Sequence, residues 1–441
     1  MSMFRYYLQL ALRRCRKSPT MVALVALTMA IGISACMTAL TIFNALEGEP
    51  LPGISNHLYV VTMDAREVAD RNGDDSAYAS PDSLLKLRDA KALVDANRAG
   101  TQVALATSRP ELVTPDGKLS YVVNGLLAYG PVLRELGVSL RFGRPWTPAE
   151  QSSRAPVAVI DSELAMKLFG TANAVGRSVE VNRHVFRVIG VTAPWKPRVE
   201  FIDAARAEGP GQAVQMFLPI GTALDVGVGP EISGQCGDSA INTTFGSVDV
   251  RACRWLEVWV SLPAPADVDA YSKFLADYAG AQHEAGRFVY PPRATLYGTR
   301  AWMALNHVIP GDVSVNVILA GAFLMLCMIN VAGLLTARFL RRQADVAIRR
   351  ALGASWRQVF VQHLVESGLL GLIGGALALP LTLVGMWIVR KQPVSYASAA
   401  HFSSEVFIAL LVLSLAVGMI VGVLPAWRVC RLSPAIQIKQ V

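Results

Sequence analysis

The chain has 441 residues, of which 53% are hydrophobic and only 17% are charged. Soluble domains carry about 25% charged residues, so this composition excludes a soluble cytosolic or secreted protein. The formal net charge of +8 at pH 7 comes from short basic segments that flank apolar runs. This distribution indicates that lipid headgroups, rather than nucleic acid, compensate the charge.

Four apolar runs approach or exceed the ~20 residues that a helix needs to cross a bilayer. They cover residues 21–46, 313–337, 364–389 and 406–423. The runs are continuous rather than alternating, which predicts transmembrane helices and excludes a β-barrel. The first run exceeds the ~7–15 residues of a signal-peptide apolar region, so it is interpreted as a retained anchor.

The distribution of basic residues predicts the orientation of these helices. The segments before the first run, between the second and third, and after the fourth contain fourteen Lys and Arg residues and one acid, whereas segment 47–311 contains 25 basic and 29 acidic residues. Both termini are therefore expected in the cytoplasm and segment 47–311 outside. Residues 1–20 are expected to form an amphipathic helix in the headgroup layer, or a plain basic anchor.

The predicted fold class is a membrane protein with four transmembrane helices in a one-plus-three arrangement and a large α+β periplasmic domain between helices 1 and 2. The predicted segments are a first helix with a stalk (21–46), the periplasmic domain (47–311), helix 2 (312–337), a cytoplasmic loop (338–363), helix 3 (364–389), a short periplasmic loop (390–405), helix 4 (406–427) and a cytoplasmic tail (428–441).

The inserted segment contains both helical and strand periodicities. Helices are expected at 80–92, after a Ser80-Pro81 start, at 162–169, ended by Gly170, and at 267–283. Strands are expected at 121–127, 155–160, 178–181, 185–191, 214–219 and 255–262, with a turn at Asn182-Arg183. Residues 203–213 and 225–250 are expected to form loops.

No P-loop, His-Glu-x-x-His, Cys-x-x-Cys or Gly-x-Ser-x-Gly pattern occurs in the sequence. We therefore predict no catalytic or metal site and no cofactor in this chain, and any ATP must be hydrolysed elsewhere. His363 and Glu366 stand three residues apart at the start of the third span. They are either a metal pair or, by default, interfacial residues that pair with each other or with arginines.

Cys236 and Cys253 are the two cysteines of the segment predicted to lie outside. An oxidising compartment favours a disulfide between them, which would close a loop of about 18 residues. The alternative is two unpaired thiols in a flexible loop. The cysteines of the membrane and cytoplasmic segments are interpreted as apolar filling.

Small residues mark helix contacts within the predicted spans. Gly371 and Gly375 form a Gly-x-x-x-Gly pair in the third span, and Gly418 and Gly422 form another in the fourth. Each pair serves packing within the chain or a dimer seam. Asn330 lies inside the second span. Its amide is expected to be buried in an interhelical hydrogen bond.

The loop 338–363 contains the run RRQADVAIRRALGAS (341–355), which predicts a short helix parallel to the membrane. Asp345 favours the start of this helix through the helix dipole, and Gly353 favours its end. Apolar side chains such as Ile348 and Leu352 lie between them. The run is either a basic interfacial turn or a lever that docks onto a cytoplasmic partner.

This run resembles the E-I-x-I-R-[KR]-A-L-G-A segment of ABC permeases of the macrolide-exporter (MacB) and FtsX type, and it also follows a span with an internal Asn and a trailing Arg. Three runs of the inserted segment resemble the periplasmic core of the same family: VNGLLAYGPVLRELGVSLRFGRPWT (123–147), APVAVIDSELAMKLFG (155–170) and VGRSVEVNRHVFRVIGV (175–191). The one-plus-three topology agrees with this resemblance.

The resemblance implies a coupling helix at 345–354 that an ATPase subunit contacts. The implied coupling residues are Asp345, Ile348, Arg349, Arg350, Leu352 and Gly353. Asp345 stands where the family usually has Glu. The resemblance also implies a second permease copy or paralogue and a pair of P-loop ATPase subunits that bind ATP and magnesium. The implied location is the bacterial inner membrane, with or without a periplasmic adaptor and an outer-membrane channel.

Three hypotheses for function follow. The first is a permease that extrudes a periplasmic or membrane-embedded amphiphile, driven by an ATPase in a separate subunit. The second is mechanical signalling by the same machine to a cell-wall hydrolase, or peptide sensing. The third is a membrane-anchored enzyme or receptor, which leaves the basic run at 341–355 unexplained. Co-purification of an ATPase separates the third hypothesis from the other two.

Overall fold

The structure is a computed structural model that describes residues 7, 9–13, 18–67, 84–114, 117, 119–203, 211–230, 235–236, 239–240, 253–309, 311–341, 348, 353, 355–392 and 404–431. The chain divides into two compact units. A membrane unit comprises residues 1–47 and 310–441, and an inserted unit comprises residues 48–309.

The described helices are α1 (Pro19–Glu47), α2 (Leu87–Asp95), α3 (Val132–Glu135), α4 (Pro148–Ser152), α5 (Ser162–Phe169), α6 (Ile220–Asp225), α7 (Pro265–Glu284), α8 (Thr299–Leu305), α9 (Gly311–Leu340), α10 (Trp356–Lys391) and α11 (Ser404–Arg431). The described strands are β1 (Leu58–Met63), β2 (Leu85–Lys86), β3 (Thr101–Ser108), β4 (Glu111–Val113), β5 (Ser120–Val122), β6 (Gly125–Tyr129), β7 (Leu140–Gly143), β8 (Val157–Asp161), β9 (Ser178–Val181), β10 (His184–Thr192), β11 (Met216–Pro219), β12 (Gln235–Cys236), β13 (Ser239–Ala240), β14 (Arg254–Ser261) and β15 (Ala294–Gly298).

The membrane unit consists of α1, α9, α10 and α11, each long and apolar enough to cross a bilayer. The prediction of four membrane-spanning helices with a large domain between the first and second is thus confirmed. Helix α10 begins at Trp356, eight residues before the predicted apolar run. Its first two turns mix polar and apolar residues, so a search for continuous apolar residues misses them. The Ser355 hydroxyl caps the backbone N–H of Gln358 and starts the helix there.

Helices α10 and α11 cross at small residues. A Cβ atom at Gly371 would lie 2.5 Å from the carbonyl oxygen of Ser414 and 2.9 Å from Cα of Gly418. Likewise a Cβ atom at Gly375 would meet Ser414, and one at Gly422 would meet Ser367. The two Gly-x-x-x-Gly pairs therefore pack against each other's helix within the chain, as one of the two interpretations expected.

Asn330 departs from its sequence-based expectation. It is exposed on α9, and within the described part of the chain no hydrogen bond joins its side chain to another residue. The expectation of a buried interhelical hydrogen bond within the chain is wrong, because α9 turns Val331 and Leu335 inward instead. Asn330 is one position away from that buried stripe.

The inserted unit is built on a mixed sheet of fifteen described strands. The strand order along its main path is β13-β12-β14-β3-β6-β11-β8-β10-β9-β4-β5, and β1, β2, β7 and β15 attach at the sides. The pairs β6/β11 and β8/β10 are parallel. Helix α5 and strand β9 make the crossover between β8 and β10, as a parallel pair requires.

Both faces of this sheet are buried. On β14, Val258 and Val260 point into one apolar core, and Trp259 points into the other. Tyr271 and Leu275 of α7 cover the first face, while Trp302 of α8 covers the second. The alternation follows from the period of two along a strand. The predicted α+β class of the inserted segment is therefore confirmed.

Several predicted elements lie where the sequence placed them. Helix α5 occupies 162–169, with the Asp161 carboxylate accepting the Leu164 N–H at 2.7 Å and Gly170 ending it at φ +67°. Strands β9 and β10 form the predicted hairpin. Asn182 and Arg183 both have positive φ in its turn, which suits a tight two-residue connection.

Other predictions for this unit are wrong. Residues 85–86 form a strand and α2 begins only at Leu87, whereas the proposed start at Ser80-Pro81 lies outside the described residues. The single strand at 121–127 is two strands, because β5 pairs with β4 and β6 pairs with β3 and β11. The loop at 225–250 contains β12 and β13, which pair with each other.

Candidate functional site

The candidate functional site is the end of the helix bundle where residues 341–355 connect α9 to α10. Of the implied coupling residues, Ile348 and Gly353 are described. Asp345, Arg349, Arg350 and Leu352 lie outside the described residues. Ile348 is helical and 57% exposed, so this apolar side chain is available for contact with a partner.

Gly353 shows why glycine stands at the end of this segment. Its φ angle is +98°, a backbone conformation that side-chain-bearing residues rarely adopt, and no atom lies within 4 Å of the position that a Cβ would take. The glycine is therefore required by the backbone rather than by a contact. Two residues later Ser355 caps α10, and the Trp356 ring stacks on Phe360 with centroids 5.5 Å apart.

A buried ion pair joins the two helices that flank this segment. Arg338 Nη2 at the end of α9 lies 2.9 Å from Glu366 Oε1 near the start of α10, and the two side chains are 2% and 1% exposed. Charges this deep in a membrane unit are costly unless they are paired. The pair therefore fixes the end of α9 to the start of α10.

A second contact joins the same two helices. The Phe339 ring packs on the His363 imidazole, with ring centroids 4.3 Å apart, and His363 is 1% exposed. The default interpretation of Glu366, pairing with an arginine, is what the structure shows. Sequence reasoning counted Arg338 only as a basic residue of the membrane rim. Its position one helix turn inside α9 was the signal that it faces the bundle.

The geometry makes the site mechanical rather than catalytic. Among the described residues, no three His, Cys, Asp or Glu side chains converge to hold a metal ion. What the site offers is a connection between two long helices on either side of an exposed segment. A displacement of that segment reaches both helices, because the ion pair and the ring contact hold their ends together.

The cysteine prediction concerns the inserted unit. Cys253 is buried and disulfide-bonded. The backbone of β12, which includes Cys236, pairs with β14 through Gln235 and Arg254, so the two cysteines flank one strand pair. Nothing is said of the Cys236 side chain, which lies outside the described residues.

The inserted unit also contains a cleft of about 270 Å³, which sequence reasoning missed because it expected a loop at 203–213. Ser108, Asn124 and Glu200 lie among its polar lining residues. A carboxylate oxygen of Glu200 accepts the Gln212 N–H at 3.1 Å. Removal from water raises the pKa of Glu200 to about 7.

Comparison with known proteins identifies both units. The family model described as the MacB-like periplasmic core domain matches residues 22–277, and the model described as the FtsX-like permease C-terminal domain matches residues 317–434. The macrolide export ATP-binding/permease protein MacB of Mannheimia succiniciproducens is 23% identical over 93% of this chain. That of Pasteurella multocida is 24% identical over 68% of this chain.

The chain spans 57% and 40% of the length of these two relatives. Among solved structures, the periplasmic region of MacB from Actinobacillus actinomycetemcomitans is 18% identical. It covers 57% of this chain and 94% of its own, with a TM-score of 0.36. The extracellular domain of the ABC-type transporter YknZ is 13% identical and covers 54% of this chain and 99% of its own, with a TM-score of 0.34.

Proposed function

The chain belongs to the MacB/FtsX family of ABC-transporter permeases, and on that premise we propose that it converts ATP hydrolysis by a separate ATPase subunit into movement of its periplasmic domain. The movement drives export of an amphiphile from the periplasm or from the membrane. The amphiphile is an antibiotic, a peptide or a lipid-like molecule.

The observation that supports this mechanism is the buried Arg338–Glu366 ion pair. It joins α9 and α10 beside the segment 341–355, which carries the family's coupling sequence. An ATPase that grips this segment displaces the ends of both helices together. Helix α9 begins at Gly311, directly after the inserted unit, and α1 ends at Glu47, directly before it. Movement of these two helices therefore acts on both ends of the inserted unit.

The proposed assembly contains a P-loop ATPase dimer, which binds ATP and magnesium, and a second copy of this permease or a paralogue. It lies in the bacterial inner membrane with its termini in the cytoplasm, where the basic segments meet anionic lipid headgroups. A periplasmic adaptor and an outer-membrane channel complete the export route if the substrate leaves the cell. This chain supplies no catalytic residue to ATP hydrolysis.

Affinity purification of the tagged chain from membranes in mild detergent, followed by mass spectrometry, tests the proposal. We expect a P-loop ATPase in near-equal amount, retained in the presence of a non-hydrolysable ATP analogue. An eluate without an ATPase under the same conditions contradicts the proposal and favours an anchored receptor. Recovery of an ATPase with a cell-wall hydrolase, rather than with export partners, contradicts the export step alone.

A further inference from the structure

The exposed face of α9 carries a heptad pattern. Positions seven residues apart along one side of the helix are all exposed, and so are the positions three residues after them. The first set is Asn316, Phe323, Asn330 and Ala337, and the second is Leu319, Leu326 and Gly333. We call these seven residues the Asn330 seam. The spacing of alternating three and four residues is that of a helix that packs along a second, parallel helix.

The rest of the membrane unit does not cover this face. Helix α9 packs against α1 and α11 through the opposite stripe, which includes Leu324, Val331 and Leu335. The two Gly-x-x-x-Gly pairs of α10 and α11 are already used within the chain. Of the four membrane helices, α9 has the smallest buried share, at 17% of its apolar window.

Asn330 makes lipid an unsuitable neighbour for this face. Eight residues, about 12 Å of helix, separate it from the charged Arg338, and the ten residues before it are all apolar or small. A carboxamide at that depth has two donors and an acceptor that lipid chains cannot satisfy. It needs a polar partner from another polypeptide.

We propose that the occupant of the Asn330 seam is the same seam of a second copy of this chain, with Asn330 bonded to Asn330 of the partner subunit. Copies inserted with the same topology present α9 in parallel, and a two-fold axis along the membrane normal places each residue opposite itself. An amide both donates and accepts a hydrogen bond, so the pair is self-complementary. A single Asn in an apolar heptad seam also fixes the register of the two helices.

The inference rests on the dimeric assembly of the proposed function and names the surface that forms it. It also explains the exposure of the flanking residues. Leu326 and Met325 are adjacent and almost equally exposed, at 58% and 60%, but Leu326 lies in the seam, and Met325 lies on the far flank of the exposed face. Ile329, at 65%, lies on that same far flank. These pairs provide matched positions for a test.

Disulfide cross-linking in native membranes tests the seam on the full chain. The background is a variant in which the cysteines of the membrane unit, Cys15, Cys36, Cys327 and Cys430, are replaced by Ala. Single cysteines are then introduced by Phe323→Cys and Leu326→Cys in the seam, and by Met325→Cys and Ile329→Cys outside it. We expect covalent dimers at the two seam positions and at least several-fold less at the two controls. Equal cross-linking at all four positions, or none in the seam, overturns the proposal.

Capture of one tagged copy by another measures the role of the amide. Asn330→Leu should reduce capture of the second copy roughly tenfold, since interhelical hydrogen bonds have modest strengths in membranes. Asn330→Gln, which keeps the amide, and Ile329→Leu should retain most of it. Undiminished capture with Asn330→Leu, or cross-links only to a different permease, overturns the self-pairing. The ATPase recovered in the same eluate distinguishes this failure from failure of the proposed function.

Discussion

Arg338 and Glu366 form an ion pair of 2.9 Å between two transmembrane helices, and both side chains are almost completely buried. The two residues lie 28 positions apart in the sequence, with the whole coupling segment between them. Removing one partner leaves a buried charge without compensation. The pair therefore links the stability of the bundle to the transmission of movement through it.

We expect Glu366→Gln to lower the stability of the membrane unit by about 3–5 kcal/mol, because the Arg338 charge is then unpaired in a dry environment. The measurement is thermal unfolding of the purified chain in detergent. Arg341→Gln is the matched control, since Arg341 lies one helix turn further on and is exposed. The exchange variant Arg338→Glu with Glu366→Arg should recover a large part of the loss. Wild-type melting of Glu366→Gln would show that the pair is not stabilising.

The contact of α10 with α11 leads to a second prediction. A Cβ atom at Gly371 meets backbone atoms of Ser414 and Gly418, which cannot rotate away. Gly371→Ala should therefore destabilise the unit by about 1–3 kcal/mol, the usual cost of overpacking. Gly321→Ala is the control, because no atom lies within 4 Å of that position. Equal melting temperatures for the two variants would contradict the close crossing.

The features predicted from the sequence are those with a local signal. The four spans follow from continuous apolar residues, and α5 follows from the Asp161 cap and the glycine at 170. The order of the fifteen strands has no such signal, because pairs such as β1 with β14 join segments nearly 200 residues apart. For the same reason Arg338 looked like a rim charge until its partner Glu366 was placed beside it. Asn330 was misjudged because periodicity shows that a face exists but not which of its residues point inward.

Glu135 of the inserted unit predicts a pH dependence of stability. It is 2% exposed, and removal from water raises its pKa to about 7, an effect that nearby Arg134 only partly offsets. Between about pH 4.5 and pH 7 the unfolded chain releases this proton while the folded domain keeps it. The free energy of unfolding therefore falls as the pH rises through this window, by about 3 kcal/mol in total.

The measurement for Glu135 is the melting temperature of the full chain by tryptophan fluorescence, from pH 4.5 to pH 8. Glu135→Gln should remove most of the decrease on the alkaline side and leave the melting temperature at pH 4.5 nearly unchanged. Glu284→Gln, at an exposed position of α7, should keep the wild-type profile. Identical profiles for the two variants would show that Glu135 is not the titrating group.

The disulfide at Cys253 is the fourth prediction, with Cys236 as the proposed partner. Closing a loop of about 18 residues stabilises the fold by about 3 kcal/mol in the chain-entropy model. Replacing both cysteines by Ser should lower the melting temperature of the inserted unit by several degrees, and a reductant should lower that of the wild type equally. Mass spectrometry of a non-reduced digest identifies the linked peptides. A peptide that joins Cys253 to another cysteine would exclude this pairing.

The coupling segment gives the last prediction. Arg349→Glu with Arg350→Glu should reduce ATPase activity of the assembled complex by roughly tenfold or more, because reversed charges repel where the partner ATPase is proposed to bind. The matched control is Arg341→Glu with Arg357→Glu, which changes the net charge equally at exposed positions on either side of the segment. Both variants should insert into the membrane in wild-type amounts, because neither alters an apolar span. If the two double variants lose activity equally, the effect is one of net charge on the whole face. If neither loses activity, the segment 341–355 does not couple to the ATPase and the basic interfacial turn is the correct interpretation.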